Sequence, residues 1–236
     1  MVRRNRCEEG NRFVSDLSKL AILGTGGYGL VVADAVLAMG GYELIGFVSG
    51  SDDRAVLGIA PFLGDDSDLV ELVTTRRVAS VVVAVGDNAV RKTVVERLRD
   101  SLPEWVGFPP IVHPMASIGI KASIGDGSVV LAGAVVGPGA SVGECCIVNT
   151  RASLDHHGVL RDYASLAPGV TTGGNVSIGE GSAVSIGAIV LHGRSIGDWS
   201  VVGAGATVIE DVPDGVVAYG TPARVVRKRE PGDKYL

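Results

Sequence analysis

From Ile118 to Val208 every sixth residue is aliphatic with one exception: Ile118, Ile124, Val130, Val136, Val142, Val148, Leu154, Leu160, Leu166, Thr172, Ile178, Val184, Val190, Ile196, Val202, Val208. Four places after each, from Ala122 to Ala206, stands a small or β-branched residue, except at Arg194. A period of six fits neither a helix nor the two-residue alternation of a flat sheet. It fits short strands that turn a corner every hexad and stack into a parallel β-helix. A longer period is superposed, because Asp126, Glu144, Asp162, Glu180 and Asp198 are 18 residues apart. One coil is therefore three hexads, a triangular prism with aliphatic side chains on its axis and these acids on one solvated corner. Arg194 is expected to mark a bulge. From Glu210 onward the period breaks and turn residues are expected to close the last coil, leaving the open first coil to meet the preceding unit.

Composition agrees with such a core and excludes several function classes. Glycine reaches 34 of 236 residues while aromatics are only 5%, so the interior is built from small aliphatics at close backbone spacing. The net charge is −5 with scattered basic residues, which gives no nucleic-acid footprint. No apolar run is long enough for membrane insertion and Met1–Asn11 has no apolar signal region, so a cytoplasmic location is expected. Three cysteines, two of them adjacent (Cys145, Cys146), make neither a disulfide framework nor a spaced zinc motif.

The N-terminal half alternates strand and helix. Lys19–Leu23 is an aliphatic strand running into Gly24-Thr-Gly-Gly-Tyr-Gly29, then Leu30–Met39 has helical spacing and Gly40-Gly41 stops it. Strands are expected at 44–48 and 81–85, and a helix at 89–100 opened by Gly86-Asp87-Asn88, hence a small Rossmann-like parallel sheet. A glycine turn feeding a helix lets backbone N–H groups approach phosphate oxygens. Gly24, Gly26, Gly27, Tyr28, Gly29 and Asn88 are the candidate substrate contacts. For a ribose-binding acid, Asp52 and Asp53 follow a strand, whereas Glu43 lacks a strand end. The expected division is an N-terminal extension at 1–18, the α/β unit at 19–110, and the β-helix with its cap at 111–236.

The motifs Gly24-Thr-Gly-Gly-Tyr-Gly29, Pro61-Phe-Leu-Gly-Asp-Asp66, Val83-Ala-Val-Gly-Asp-Asn88, His113-Pro-Met-Ala-Ser117, Asn149-Thr-Arg-Ala-Ser-Leu-Asp-His156 and Gly220-Thr-Pro-Ala223 together resemble one family. It is that of the bacterial nucleotide-sugar acetyltransferases acting on bacillosamine- and perosamine-type amino sugars, with the related sialic acid O-acetyltransferases. The resemblance implies a left-handed β-helix, a homotrimer, acetyl-CoA as co-substrate between neighbouring prisms, no metal, and a nucleotide-linked amino sugar held by the N-terminal unit, in a pathway to a polysaccharide precursor.

Carried onto this chain, the resemblance makes His156 the general base, an imidazole suiting proton removal from an attacking amine near neutral pH. Asn149 becomes a contact to the acceptor sugar. The acid usual directly after the base is replaced by His157, so either Asp155, which precedes the base, orients the imidazole of His156 or backbone groups hold it. Gly174, one coil above, is a candidate oxyanion donor. Gly174, Ser165, Ile186, Gly187 and Ala204 are expected along the CoA groove, and Arg224 at the phosphates; Ser165 stands where many relatives have histidine. His192, two coils beyond His156, is expected about 10 Å away. Alternatives are sugar O-acetylation, a zinc site of carbonic anhydrase type using His156, His157 and His192, or a non-catalytic nucleotide-sugar scaffold.

Overall fold

The computed structural model describes residues 17–50, 58–76 and 78–233. Its β-helix is left-handed, and strands of two residues recur every hexad from Ile111–Val112 to Thr207–Val208. Each pairs in parallel with the strand 18 residues away; Ile147 faces Val129 below and Ser165 above. Three sheets of eight, six and five strands result, the eight including two longer C-terminal strands, Val216–Gly220 and Ala223–Lys228, which pair with each other antiparallel as a hairpin. The interior is what the two sequence ladders supply: Val148, Leu154, Leu160, Leu166 and Ile178 are fully buried, as are Ala134, Ala152 and Ala164. Pairing continues through Ser177 with Ser195 and Thr171 with Ile189. The bulge expected at Arg194 is therefore absent; its side chain lies outside, with Nη1 3.5 Å from Asp211 Oδ1.

The turns obey a rule that the sequence conceals. At every sixth residue from Lys121 to Gly205 φ is positive, the left-handed conformation that lets a strand break direction within one residue. Eight of these fifteen residues are glycine, and seven are not: Lys121, Cys145, Arg151, His157, Tyr163, Asn175 and Trp199. A side chain there costs about 1 kcal/mol over glycine. The prism thus has three distinct corners. One carries the 18-residue acid series; one is a groove around Thr150, Pro168, Ile186 and Ala204; and one stacks Pro138, His156, Gly174 and His192.

The acid corner is not merely solvated, which corrects the expectation. Asp162 accepts the Glu144 N–H at 2.8 Å and Asp198 accepts the Glu180 N–H at 2.8 Å, each aspartate satisfying the backbone one coil below. The glutamates instead bind cations of the N-terminal unit.

That unit has a four-stranded parallel sheet in the order β3-β2-β1-β4, with β1 Ser18–Leu23, β2 Tyr42–Val48, β3 Phe62–Gly64 and β4 Ser80–Val83. Its helices are α1 Gly27–Met39, α2 Leu69–Arg76 and α3 Asn88–Ser101; β3 and α2 add to the elements expected. Asp87 caps α3, accepting from the Ala89 and Val90 N–H groups. The unit leans along the side of the prism rather than on its open end, a second correction. Leu20, Ile22 and Phe47 share a core with Ile111, Val129 and Leu131, while α3 runs along the acid corner.

Arg91 of α3 carries this contact. It is buried, and all five of its N–H donors are used: Nε on Cys145 O (2.8 Å), Nη1 on Val85 O and Gly86 O, Nη2 on Asn88 Oδ1 and Tyr163 O (both 2.7 Å). Lys92 bonds Glu180 Oε1 at 2.6 Å and lies over the Tyr163 and Trp199 rings, and Arg99 bonds Glu144 at 2.7 Å. The bond to Glu180 holds Lys92 above the usual lysine range. Cys145 and Cys146 are buried free thiols, which burial pushes up to about 11 and about 12.

Candidate active site

The His156 ring projects from its corner because the next coil offers no side chain at the stacked position. A Cβ on Gly174 would fall onto Nε2, Cε1 and Cδ2 of that imidazole, so the ring lies flat on glycine backbone. The turn below it is held at two points: the Asp155 N–H donates to Thr172 Oγ1 at 3.0 Å, and the His156 N–H donates to Asp155 Oδ1 at 2.6 Å. Thr172 is thus the polar exception in the aliphatic ladder for a reason; its hydroxyl supports the histidine turn from one coil above. That exception is the one signal of this support that the sequence carries.

Asp155 therefore addresses backbone. The imidazole meets the neighbouring ring instead, with His156 Nδ1 and His157 Nδ1 3.1 Å apart. No described residue bonds Nε2. The His192 ring centroid is 5.9 Å from that of His156, well inside the expected 10 Å, because the two rings lean together across the side-chain-free Gly174. Among the described residues no three His, Cys, Asp or Glu side chains group as metal ligands. The Gly174 carbonyl accepts from Gly193, whereas none of the described backbone hydrogen bonds uses the Gly174 N–H.

A second feature lies at the groove corner. A cavity of about 330 Å³ is lined by Tyr28 and Gly86 of the N-terminal unit and by Asn149, Ser165, Ile186 and Ala204 of the β-helix. It brings together residues expected on both the sugar and the CoA side. The Tyr28 hydroxyl is buried without a hydrogen-bond partner among the described residues, and burial pushes its phenol far above the usual range. Such an orphan is what a polar ligand atom would satisfy. The six-stranded face separates this cavity from the histidine corner, so within one chain the two do not meet.

The chain is similar to proteins of known activity over both units. Residues 19–98 match the model of the PglD N-terminal domain. A variant of perosamine N-acetyltransferase from Caulobacter crescentus, solved with CoA and GDP-perosamine, is 33% identical and superposes with a TM-score of 0.82, covering 89% of this chain and 97% of that one. The acetyltransferase domain of PglB from Neisseria gonorrhoeae FA1090 is 35% identical at a TM-score of 0.82, covering 89% and 100%.

The chain belongs to the bacterial nucleotide-sugar acetyltransferases of the hexapeptide-repeat class.

Among curated members, UDP-N-acetylbacillosamine N-acetyltransferase of Bacillus subtilis is 34% identical over 116 residues, 49% of this chain and 52% of that protein. The chain spans about half the length of the curated relatives it matches.

Seen as a member of this family, the chain keeps some expected positions open and closes others. Gly27 has open space around its Cβ position at the start of α1. Gly26 caps that helix and Gly29 is buried within it. Gly24 serves the fold: at φ +123° a Cβ would stand 2.6 Å from Ala84 O, where β1 ends against β4. Asn88 is a correction. It is fully buried, and its amide donates to Ser165 Oγ, Gly181 O and Ser182 O at 3.0–3.2 Å, so it ties the two units together and positions Ser165. Gly187 takes a left-handed turn at the groove, and Arg224 lies on the exposed C-terminal hairpin, 3.6 Å from Glu210. Asp52 and Asp53 lie outside the described residues.

Proposed function

We propose that this protein transfers the acetyl group of acetyl-CoA directly to the amino group of a nucleotide-linked 4-amino sugar, with His156 as general base. The observation that carries the reading is the His156 imidazole lying over Gly174 with Nε2 unengaged, in a chain that matches a CoA and GDP-perosamine complex along its length. In the reaction the sugar amine attacks the thioester carbon while His156 Nε2 takes its proton. The Gly174 N–H stands beside that ring and is suited to donate to the developing oxyanion, a contribution of about 3 kcal/mol. Collapse of the tetrahedral intermediate expels CoA thiolate, which takes the proton back from the imidazolium.

The residues suit the co-substrate on grounds visible in the cavity itself. Its walls at the groove corner are Ser165, Ile186 and Ala204, and left-handed glycines at 169, 187 and 205 keep backbone accessible beside them. A pantetheine arm can lie against such a surface. Tyr28 and Asn149 offer polar groups at the end nearer the glycine turn.

The reading includes a homotrimer and a cytoplasmic setting. Its support for assembly is that the histidine and groove corners bound opposite edges of one face, whose outward residues Val135 and Ile189 are 39% and 46% exposed, while Ile186 at the groove is 61% exposed. A second prism laid on that face brings an imidazole to a neighbour's groove.

The direct test is incubation with acetyl-CoA and a panel of UDP-, dTDP- and GDP-linked 4-amino sugars beside their hydroxy analogues, following thiol release. Turnover with an amino sugar is expected, and turnover with hydroxy analogues alone would defeat the proposal in favour of O-acetylation. A finer test is Gly174→Ala. The added methyl displaces the ring without a forbidden backbone angle, so kcat is expected to fall about a hundredfold at unchanged circular dichroism; unchanged kcat would remove Gly174 as the platform for the base.

A further inference from the structure

We propose that His157 is a positioning residue that fixes the tautomer of His156, a role that rests on His156 acting as the base. The two Nδ1 atoms are 3.1 Å apart, and two ring nitrogens at that distance share one hydrogen: one donates and the other accepts. A basic Nε2 on His156 requires the proton at Nδ1. His156 Nδ1–H therefore donates to His157 Nδ1, and His157 carries its own proton at Nε2.

His157 is seated for this task from below. Its ring rests on Gly139 of the preceding coil, where a Cβ would stand 3.1 Å from Cδ2 and 3.3 Å from Nε2, and its N–H donates to Pro138 O at 3.0 Å. Its φ is +55°, at a corner position where glycine serves eight times in fifteen at lower cost. A ring held at that expense, edge-on to His156 at 85° with centroids 5.4 Å apart, is oriented rather than free. Asp155 does not hold the ring: among the described residues its carboxylate takes only the His156 backbone N–H, at Oδ1.

The other charged groups on this corner are few. Asp155 lies on the same turn and Lys121 two coils below; above are His192, whose Nε2 faces Asn175 Nδ2 at 3.4 Å, and Arg194, paired to Asp211. None stands between the two Nδ1 atoms. During transfer the proton from the amine resides on His156 Nε2 and leaves from there to the thiolate. His157 accepts the Nδ1–H bond throughout and has no net change.

Selective ¹⁵N labelling of the four histidines, read by NMR on the resting protein and assigned with single His variants, tests the tautomers without any substrate. Expected are a bare Nε2 and protonated Nδ1 on His156, with the reverse on His157; a proton on His156 Nε2 in the neutral ring would overturn the proposal. The kinetic arm uses His157→Gly, which removes the ring while suiting the left-handed corner, and His157→Asn and His157→Asp, which return an acceptor near the place of Nδ1. The glycine variant is expected to lose at least about tenfold in kcat with KM unchanged, and the other two to recover most of it. Full kcat in His157→Gly while His156→Ala is inactive would reject the positioning role and leave the base intact. Full activity in His156→Ala would reject both.

Discussion

His156→Ala is expected to lower kcat by about 10²–10⁴-fold while leaving the KM for acetyl-CoA and the melting temperature nearly unchanged. The magnitude is that of losing a general base. The selectivity follows from how the residue is held: its backbone N–H binds Asp155, and its carbonyl accepts from Asn175, so the coil keeps its bonds when the ring is removed. The ring is half-exposed and contributes little to the core. Thiol-release kinetics with saturating sugar, run beside size-exclusion chromatography, check both halves. A variant within threefold of the parent would mean that the sugar amine loses its proton elsewhere.

Arg91→Met is expected to cost about 3 kcal/mol or more of stability. Methionine fills much of the volume but leaves the carbonyls of Cys145, Tyr163, Val85 and Gly86 and the Asn88 Oδ1 without the donors that now reach them. Buried acceptors left unpaired cost about 1–3 kcal/mol each before relaxation. Because two of these carbonyls belong to the prism and two to the loop before α3, the damage falls on the joint between the units. Urea denaturation and limited proteolysis should show the N-terminal unit released first. Arg97→Ala is the control: its contact with Asp66 is 3.2 Å long but largely exposed, and exposed pairs contribute about 0–1 kcal/mol. Equal losses for both variants would refute the assigned weight of Arg91.

The prism was legible because each coil repeats one environment, so that Ile118 to Val208 announce a shared axis. The left-handed corner was hidden, since at Cys145, Tyr163 and Trp199 the tell-tale glycine is replaced by side chains that pack under α3. That helix misleads in turn. Its Arg91, Lys92 and Arg99 carry no spacing that names their partners, yet they bind carbonyls and carboxylates of the β-helix. Asn88 looked like a ligand contact for the same reason, its partners Gly181 and Ser182 lying far along the chain. At the site, register arithmetic placed His156, Gly174 and His192 on one corner, but it assumed perpendicular side chains and so missed how far two rings lean over a glycine. The cavity with Tyr28 could not be read, because it exists only where residues far apart in the chain, Tyr28 and Gly86 on one side and Asn149 to Ala204 on the other, come together.

The uniform turn at every sixth residue makes length in this molecule a quantised variable. Inserting a single residue between two corners would throw every later side chain out of phase, turning imidazole, groove and acid series onto the wrong edges. Eighteen residues added together would merely lengthen the column and leave each edge its chemistry. Drift in such a chain is confined to excursions that depart from a corner and come back to it.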